Sequence, residues 1–236
     1  MEANQKLDIG DIANKARIIL SELHELQSES GGTKPRLEDF FPINLRQIVE
    51  GVLNWQLEER TMIGFLPSGH QILGQTNYED KKILIDVGDT QLGERNFTLA
   101  HEIGHVALHR ISYACYGFAT RAHSNRRNER LVNPDPTRSR LEREAQVFAA
   151  ELLMPRKSVS RYFKTLFERD RLWIEGLQVK ELLESAGNRF RPPDLKLVAK
   201  VVALEDRPGG NRNLADFFGV SGDAMAVRLL RLGLLY

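Results

Sequence analysis

Apolar residues at Ile12, Ala16, Ile19, Leu23 and Leu26 follow helical spacing and predict an amphipathic helix, with Asp8 or Asp11 placed to cap it. The polar stretch from Gln27 to Arg36, with Gly31-Gly32 and Pro35, interrupts that pattern and reads as a linker. Asn44 can cap a second helix whose apolar face is Leu45, Ile48, Val49 and Val52. Three short runs, Met62 to Leu66, Gln71 to Gly74 and Lys82 to Asp86, predict strands, with a turn at Pro67-Ser68-Gly69.

Helical spacing returns at Leu99, Ile103 and Val106. The segment from Arg121 to Arg140 carries prolines and many arginines without periodicity, so it is expected to be an exposed loop. From Leu141 to Met154 one broad apolar face (Leu141, Ala145, Phe148, Ala149, Leu152, Leu153) predicts a helix that Pro155 stops. Further amphipathic helices are expected near Ser158 to Phe167, Trp173 to Leu183 and Asp194 to Glu205. Leu214 to Leu235 is expected to be helical in two pieces around Gly219-Val220-Ser221.

These elements give an α+β fold class, a small β-sheet packed on helices followed by an all-helical region. Two domains are expected, 1–155 and 156–236, and 236 residues are enough for a substantial core. The formal net charge of +1 argues against a cationic nucleic-acid coat or a polybasic membrane anchor. One cysteine, Cys115, excludes an intrachain disulfide and a thiolate zinc cluster. Neither a signal-peptide core nor a membrane-length apolar run is present, so the expected location is the cytoplasm.

Candidate chemistry sits at His101-Glu102-Ile103-Gly104-His105. Residues i and i+4 share one helix face, so His101 and His105 can aim both imidazoles at one ion. Glu102 is placed to act as general base, taking a proton from water as it attacks a carbonyl and passing it to the leaving amine. Gly104 costs about 1 kcal/mol inside a helix, which is easier to explain if another element approaches its backbone closely.

A catalytic zinc usually takes three protein ligands. His109 extends the series, but three ligands on successive turns of a straight helix do not converge, so it is expected in a packing or supporting role. A carboxylate from the next helix is the other source. Glu142 shares a face with Ala145, Gln146 and Ala149, the alanines being small enough to permit close helix packing, and is preferred over Glu144, which points about 200° away toward the expected solvent side.

The run from Glu142 through Ala145-Gln146-Val147-Phe148-Ala149 to Leu152-Leu153-Met154-Pro155, taken with Phe97-Thr98-Leu99-Ala100 and the motif, resembles the ImmA/IrrE family of bacterial metallopeptidases. The resemblance implies a zincin-like peptidase fold, His101, His105 and Glu142 as zinc ligands, and Glu102 as general base. Zinc is the implied cofactor, with Mn2+ or Fe2+ able to occupy the same donors. It also implies a protein substrate, an XRE-type helix-turn-helix repressor cleaved to release stress or DNA-damage genes. Gln146 stands where the family usually has Asn or Asp.

An edge strand beside the cleft is expected to hold an extended peptide by main-chain pairing. His123, Tyr113, Tyr116 and the loop arginines are candidate oxyanion donors. The competing reading is a DNA-binding or metal-sensing regulator without turnover, because Leu214 to Leu235 resembles a helix-turn-helix. Its second helix offers Arg228 and Arg231 among apolar residues, few groups for reading bases, which argues against direct DNA binding.

Overall fold

The computed structural model describes residues 7–31, 40–61, 63–65, 71–88, 91–109, 118–121, 136–173, 195–205 and 212–236. They form a mixed α+β fold, mostly helical, with one small sheet. The chain divides into two compact units, Met1–Lys34 with Asn44–Leu152, and Pro35–Ile43 with Leu153–Tyr236.

In the first unit, helix α1 (Ile9–Gly31) buries Ile12, Ala16, Ile19 and Leu23. Asp8 rather than Asp11 supplies its cap, accepting from the Asp11 amide at 2.7 Å. The helix runs into the stretch expected to be a linker and ends only at Gly31. Polar Gln27 to Ser30 extend a packed helix at little cost, since nucleation has already been met, and Gln27 donates to the Gln47 side chain at 3.0 Å. Helix α2 (Leu45–Gln47) has the expected Asn44 cap and continues as a π turn (Ile48–Val52).

The sheet departs from the expected strands. Strand β1 is Gln56–Arg60, not Met62 to Leu66, where Phe65 makes only an isolated bridge to Gln71. Strand β2 is Ile72–Asn77, longer than expected, and β3 is Lys82–Asp86 as expected. A fourth strand, β4 (Phe118–Arg121), gives the order β1-β3-β2-β4 with only the β1–β3 pair parallel. Polar β1 shows no alternation because it is an edge strand whose side chains are largely exposed; Glu58 pairs with Arg60 and with Lys82.

Helix α3 (Leu92–Leu108) packs against β2 and β3, burying Leu99, Ala100 and Ile103 with Ile83 and Ile85. Every residue from Thr98 to Val106 is buried, so the motif lies inside the unit. Helix α4 (Pro136–Leu153) starts within the segment expected to be a loop; residues 122–135 of that segment lie outside the described residues.

In the second unit, helices α5 (Arg156–Phe167), α6 (Leu195–Leu204), α7 (Leu214–Phe218) and α8 (Gly222–Leu232) surround an aromatic core. Tyr162 stacks on Phe217 at 3.6 Å between centroids, and Phe41 packs against Phe217 and Phe218. Asn213 caps α7 and Ser221 caps α8, with Gly219 in the left-handed region at φ 65° between them. Arg228 is buried and donates from Nε to the Met154 carbonyl at 2.9 Å. Of the helix expected from Trp173 to Leu183, all but Trp173 lies outside the described residues. No helix among the described residues is long and apolar enough to cross a membrane.

Candidate metal centre

Helix α3 sets His101 and His105 one turn apart on one face, both buried. Their rings meet edge to face at 4.7 Å between centroids, with the two Nε2 atoms 3.0 Å apart. The third group comes from α4. A Cβ on Gly104 would lie 3.1 Å from Ala145 Cα and 3.1 Å from Phe148 Cδ1, so the two helices meet where Gly104 has no side chain and Ala145 has a small one. That approach carries Glu142, one turn ahead of Ala145, to the histidines: its Oε2 is 3.1 Å from His101 Nε2 and 3.8 Å from His105 Nε2.

The three ligand atoms lie within 4.8 Å of one another. Bonds of about 2.0–2.1 Å at tetrahedral angles would set them about 3.3 Å apart, close to the edges of 3.0, 3.1 and 3.8 Å found here. Two nitrogens and one carboxylate oxygen are also a donor set suited to a divalent metal with one position open to solvent. Electrostatics favour a cation at this point. Burial holds the His105 imidazole down at about 4, so it is neutral at neutral pH and offers a lone pair. For Glu142 burial acts to raise the carboxyl, but hydrogen bonding with His101 and His105 outweighs it and holds it well below the usual range.

Glu102 is fully buried and turns toward the sheet. Thr76 Oγ1 donates to its Oε2 at 2.6 Å. Gly74, two residues earlier on the same face of β2, leaves room for it: a Cβ there would stand 3.0 Å from Glu102 Cγ and Oε1. Tyr78 donates to the His105 carbonyl at 2.8 Å, and burial, with the Glu102 charge adding, keeps its phenol protonated well above the usual value. The sequence reading missed these β2 residues. The available signal was period-two alternation, with Gly74 and Thr76 as the buried positions of the strand.

Glu144 is not on the solvent side. It is buried, 3.2 Å from His109 Nε2, and its Oε1 faces Arg140 Nε at 3.6 Å. His109, just past the end of α3, places Nδ1 3.0 Å from His105 Nδ1. Gln146, in contrast, is exposed. Tyr113, Tyr116 and His123 lie outside the described residues, as does Cys115.

The Peptidase_M78 family, described by its IrrE N-terminal-like domain, matches residues 70–190, a span that takes in both motif helices and β2. The chain belongs to the Peptidase_M78 family. The Peptidase_M78 match agrees with the ImmA/IrrE resemblance carried by the two helices, and it brings a peptidase-type character to a site whose His-His-Glu cluster could hold a metal. A protein described as uncharacterized immunity region protein 2, from Bacillus phage phi105, is 34% identical over 103 residues, which are 43% of this chain. The match spans 56% of that relative's length.

Proposed function

We propose that this chain is a zinc-dependent endopeptidase of the cytoplasm that cleaves a helix-turn-helix transcriptional repressor of the XRE type, releasing stress or DNA-damage response genes. The observation that carries the reading is the buried triangle of His101 Nε2, His105 Nε2 and Glu142 Oε2 beside Glu102. His101, His105 and Glu142 would hold the metal. Bound there, it would supply Lewis acidity toward a scissile carbonyl and acidify water. Glu102 would accept the proton of the attacking water and return it to the departing amine, completing hydrolysis of the amide. Thr76 would keep the Glu102 carboxylate in one orientation during both transfers.

Family membership supports a peptide substrate, and a relative named for an immunity region supports a repressor as its class. The peptidase activity belongs to a zincin-like domain spanning residues 1–155, and residues 156–236 form a separate helical module with a helix-turn-helix-like end. The capped pair α7–α8 favours the second reading, a DNA-binding or metal-sensing regulator without turnover. Arg228 weighs against its DNA-binding form, because a side chain 5% exposed and bonded to Met154 cannot reach a base edge.

Glu102→Gln should retain zinc and lose cleavage of a helix-turn-helix repressor, while His101→Ala should lose zinc. Normal cleavage by the glutamine variant would overturn the general-base assignment. Unchanged gene switching by that variant, with no cleavage by the natural chain, would establish the regulator instead.

A further inference from the structure

We propose that Gly74 is a positioning residue whose missing side chain gives Glu102 a fixed seat between β2 and α3, holding the carboxylate where Thr76 can bond it. The inference rests on the general-base role proposed above for Glu102 and adds to it a residue that acts by shape alone.

A glycine inside a strand weakens it, so its presence calls for a demand of backbone or of space. Backbone conformation makes no such demand here. The described glycines with positive φ are Gly64, Gly219 and Gly233, so Gly74 keeps a conformation open to any residue. The register of β2 toward β4 shifts between Ile72 and Gly74, but the extra residue there is Leu73.

The demand is one of space. A Cβ on Gly74 would stand 2.8 Å from Thr98 Cγ2 and 3.0 Å from both Cγ and Oε1 of Glu102. None of the parties has room to give way. Strand β2 is an inner strand, paired at Gly74 with Ile85 of β3 and with Thr120 of β4, and a retreat from α3 would break main-chain pairing on both sides. Thr98 is buried and β-branched, so its χ1 is restricted. Glu102 is fully buried, and its other oxygen, Oε2, is bonded to Thr76 Oγ1 at 2.6 Å. Gly74 and Thr76 stand two residues apart on one face of β2 and shape the seat together. The threonine hydroxyl holds one oxygen, and the bare glycine admits the other. A side chain at position 74 takes the space of Oε1 and turns the carboxylate away from Thr76.

Denaturant unfolding of the full chain tests the seat without reference to cleavage. Thr98→Ser first removes the nearer obstacle, the threonine methyl. In that background Gly74→Ala should lower the folding equilibrium constant by about 5- to 150-fold, the range for overpacking a filled site. With Glu102→Ala also present, the same Gly74→Ala change should instead raise the constant by about 2- to 5-fold, the ordinary gain of alanine over glycine in a strand. If Gly74→Ala with Thr98→Ser does not fold, recovery of folding on adding Glu102→Ala supports the seat equally. The same penalty with and without the Glu102 side chain, no penalty in either, or failure to fold in both would overturn the proposal.

The consequence for turnover is read on an XRE-type helix-turn-helix repressor that the natural chain cuts. Relative to Thr98→Ser alone, adding Gly74→Ala should lower kcat by about tenfold or more, because the carboxylate gives up its bond from Thr76. KM, and zinc affinity measured by competition with a chromophoric chelator, should stay within a few-fold. Unchanged kcat, or equal falls in kcat and zinc affinity, would overturn the positioning role while leaving the endopeptidase reading standing. A natural chain that cuts no such repressor would remove that reading instead, and the unfolding comparison would still decide whether Gly74 seats Glu102.

Discussion

Gly104 on α3 and Ala145 on α4 meet so closely that a Cβ on the glycine would stand 3.1 Å from the alanine Cα and 3.2 Å from its carbonyl oxygen. The neighbour is backbone, which cannot rotate away. Gly104→Ala should gain about 1 kcal/mol of helix propensity and lose about 1–3 kcal/mol to overpacking. The helices should part and carry Glu142 from the histidines, so zinc affinity should fall together with the denaturation midpoint. A more stable variant with unchanged zinc affinity would show that this contact does not set the position of Glu142.

Thr76 and Glu102 make a separable prediction. Thr76→Val keeps the shape of the side chain but removes the hydroxyl bonded to the Glu102 carboxylate. A hydrogen bond to a charged group contributes about 1.5–3 kcal/mol, so repressor cleavage should fall by about tenfold or more while zinc binding stays unchanged. Thr76→Ser should restore most of the rate. Equal zinc loss and rate loss in the valine variant would assign Thr76 to the scaffold.

The buried His105 links stability to pH. Its folded value, about 4, lies below the ordinary 6.5, so below about pH 6.5 the unfolded chain binds a proton that the folded chain refuses. The metal-free protein should therefore lose stability as pH falls from about 6.5 to about 4, by up to about 3 kcal/mol from this group alone. Glu142 acts in the same sense, because its depressed carboxyl stabilises the fold above its ordinary value and loses that contribution as pH falls. Thermal melts of the metal-free chain at pH 7 and pH 4.5 measure the slope, and His105→Asn should flatten it. A melting temperature independent of pH over that range would contradict the burial argument.

Arg228 should behave as a core residue. Arg228→Met removes the donor to the Met154 carbonyl and leaves a buried acceptor unsatisfied, at a cost of about 1–3 kcal/mol. The midpoint of unfolding should drop, and any duplex binding by the isolated chain at low salt should be unchanged per folded molecule. Loss of duplex binding in a fully folded variant would instead place Arg228 at a nucleic-acid surface.

Sequence and structure agree where local chemistry decides the conformation. Asn44 and Ser221 cap the helices they precede, because capping depends on residues within three positions of the cap. Lys82 to Asp86 becomes a strand because its buried isoleucines alternate. Gln56–Arg60 carries no such pattern. It is held as a strand by main-chain pairing to β3, and pairing partners are not written in local spacing. Glu144 illustrates the same limit. As an acidic residue in a helix it reads as solvent-facing; Arg140 stands one turn before it on the same helix, but the histidine that helps make its burial tolerable is brought to it only by packing.

By itself the sequence determined the spacing of His101 and His105, the identity of Glu102 beside them, and the small residues that allow a second helix to come near. These follow from helix periodicity and side-chain volume. Helix periodicity also favoured Glu142 over Glu144 as the facing carboxylate, whereas tertiary structure alone decided that Glu144 is buried against His109 and that β2 supplies Thr76 to Glu102. Those relations join residues distant along the chain, and their geometry exists only once the helices and the sheet have packed.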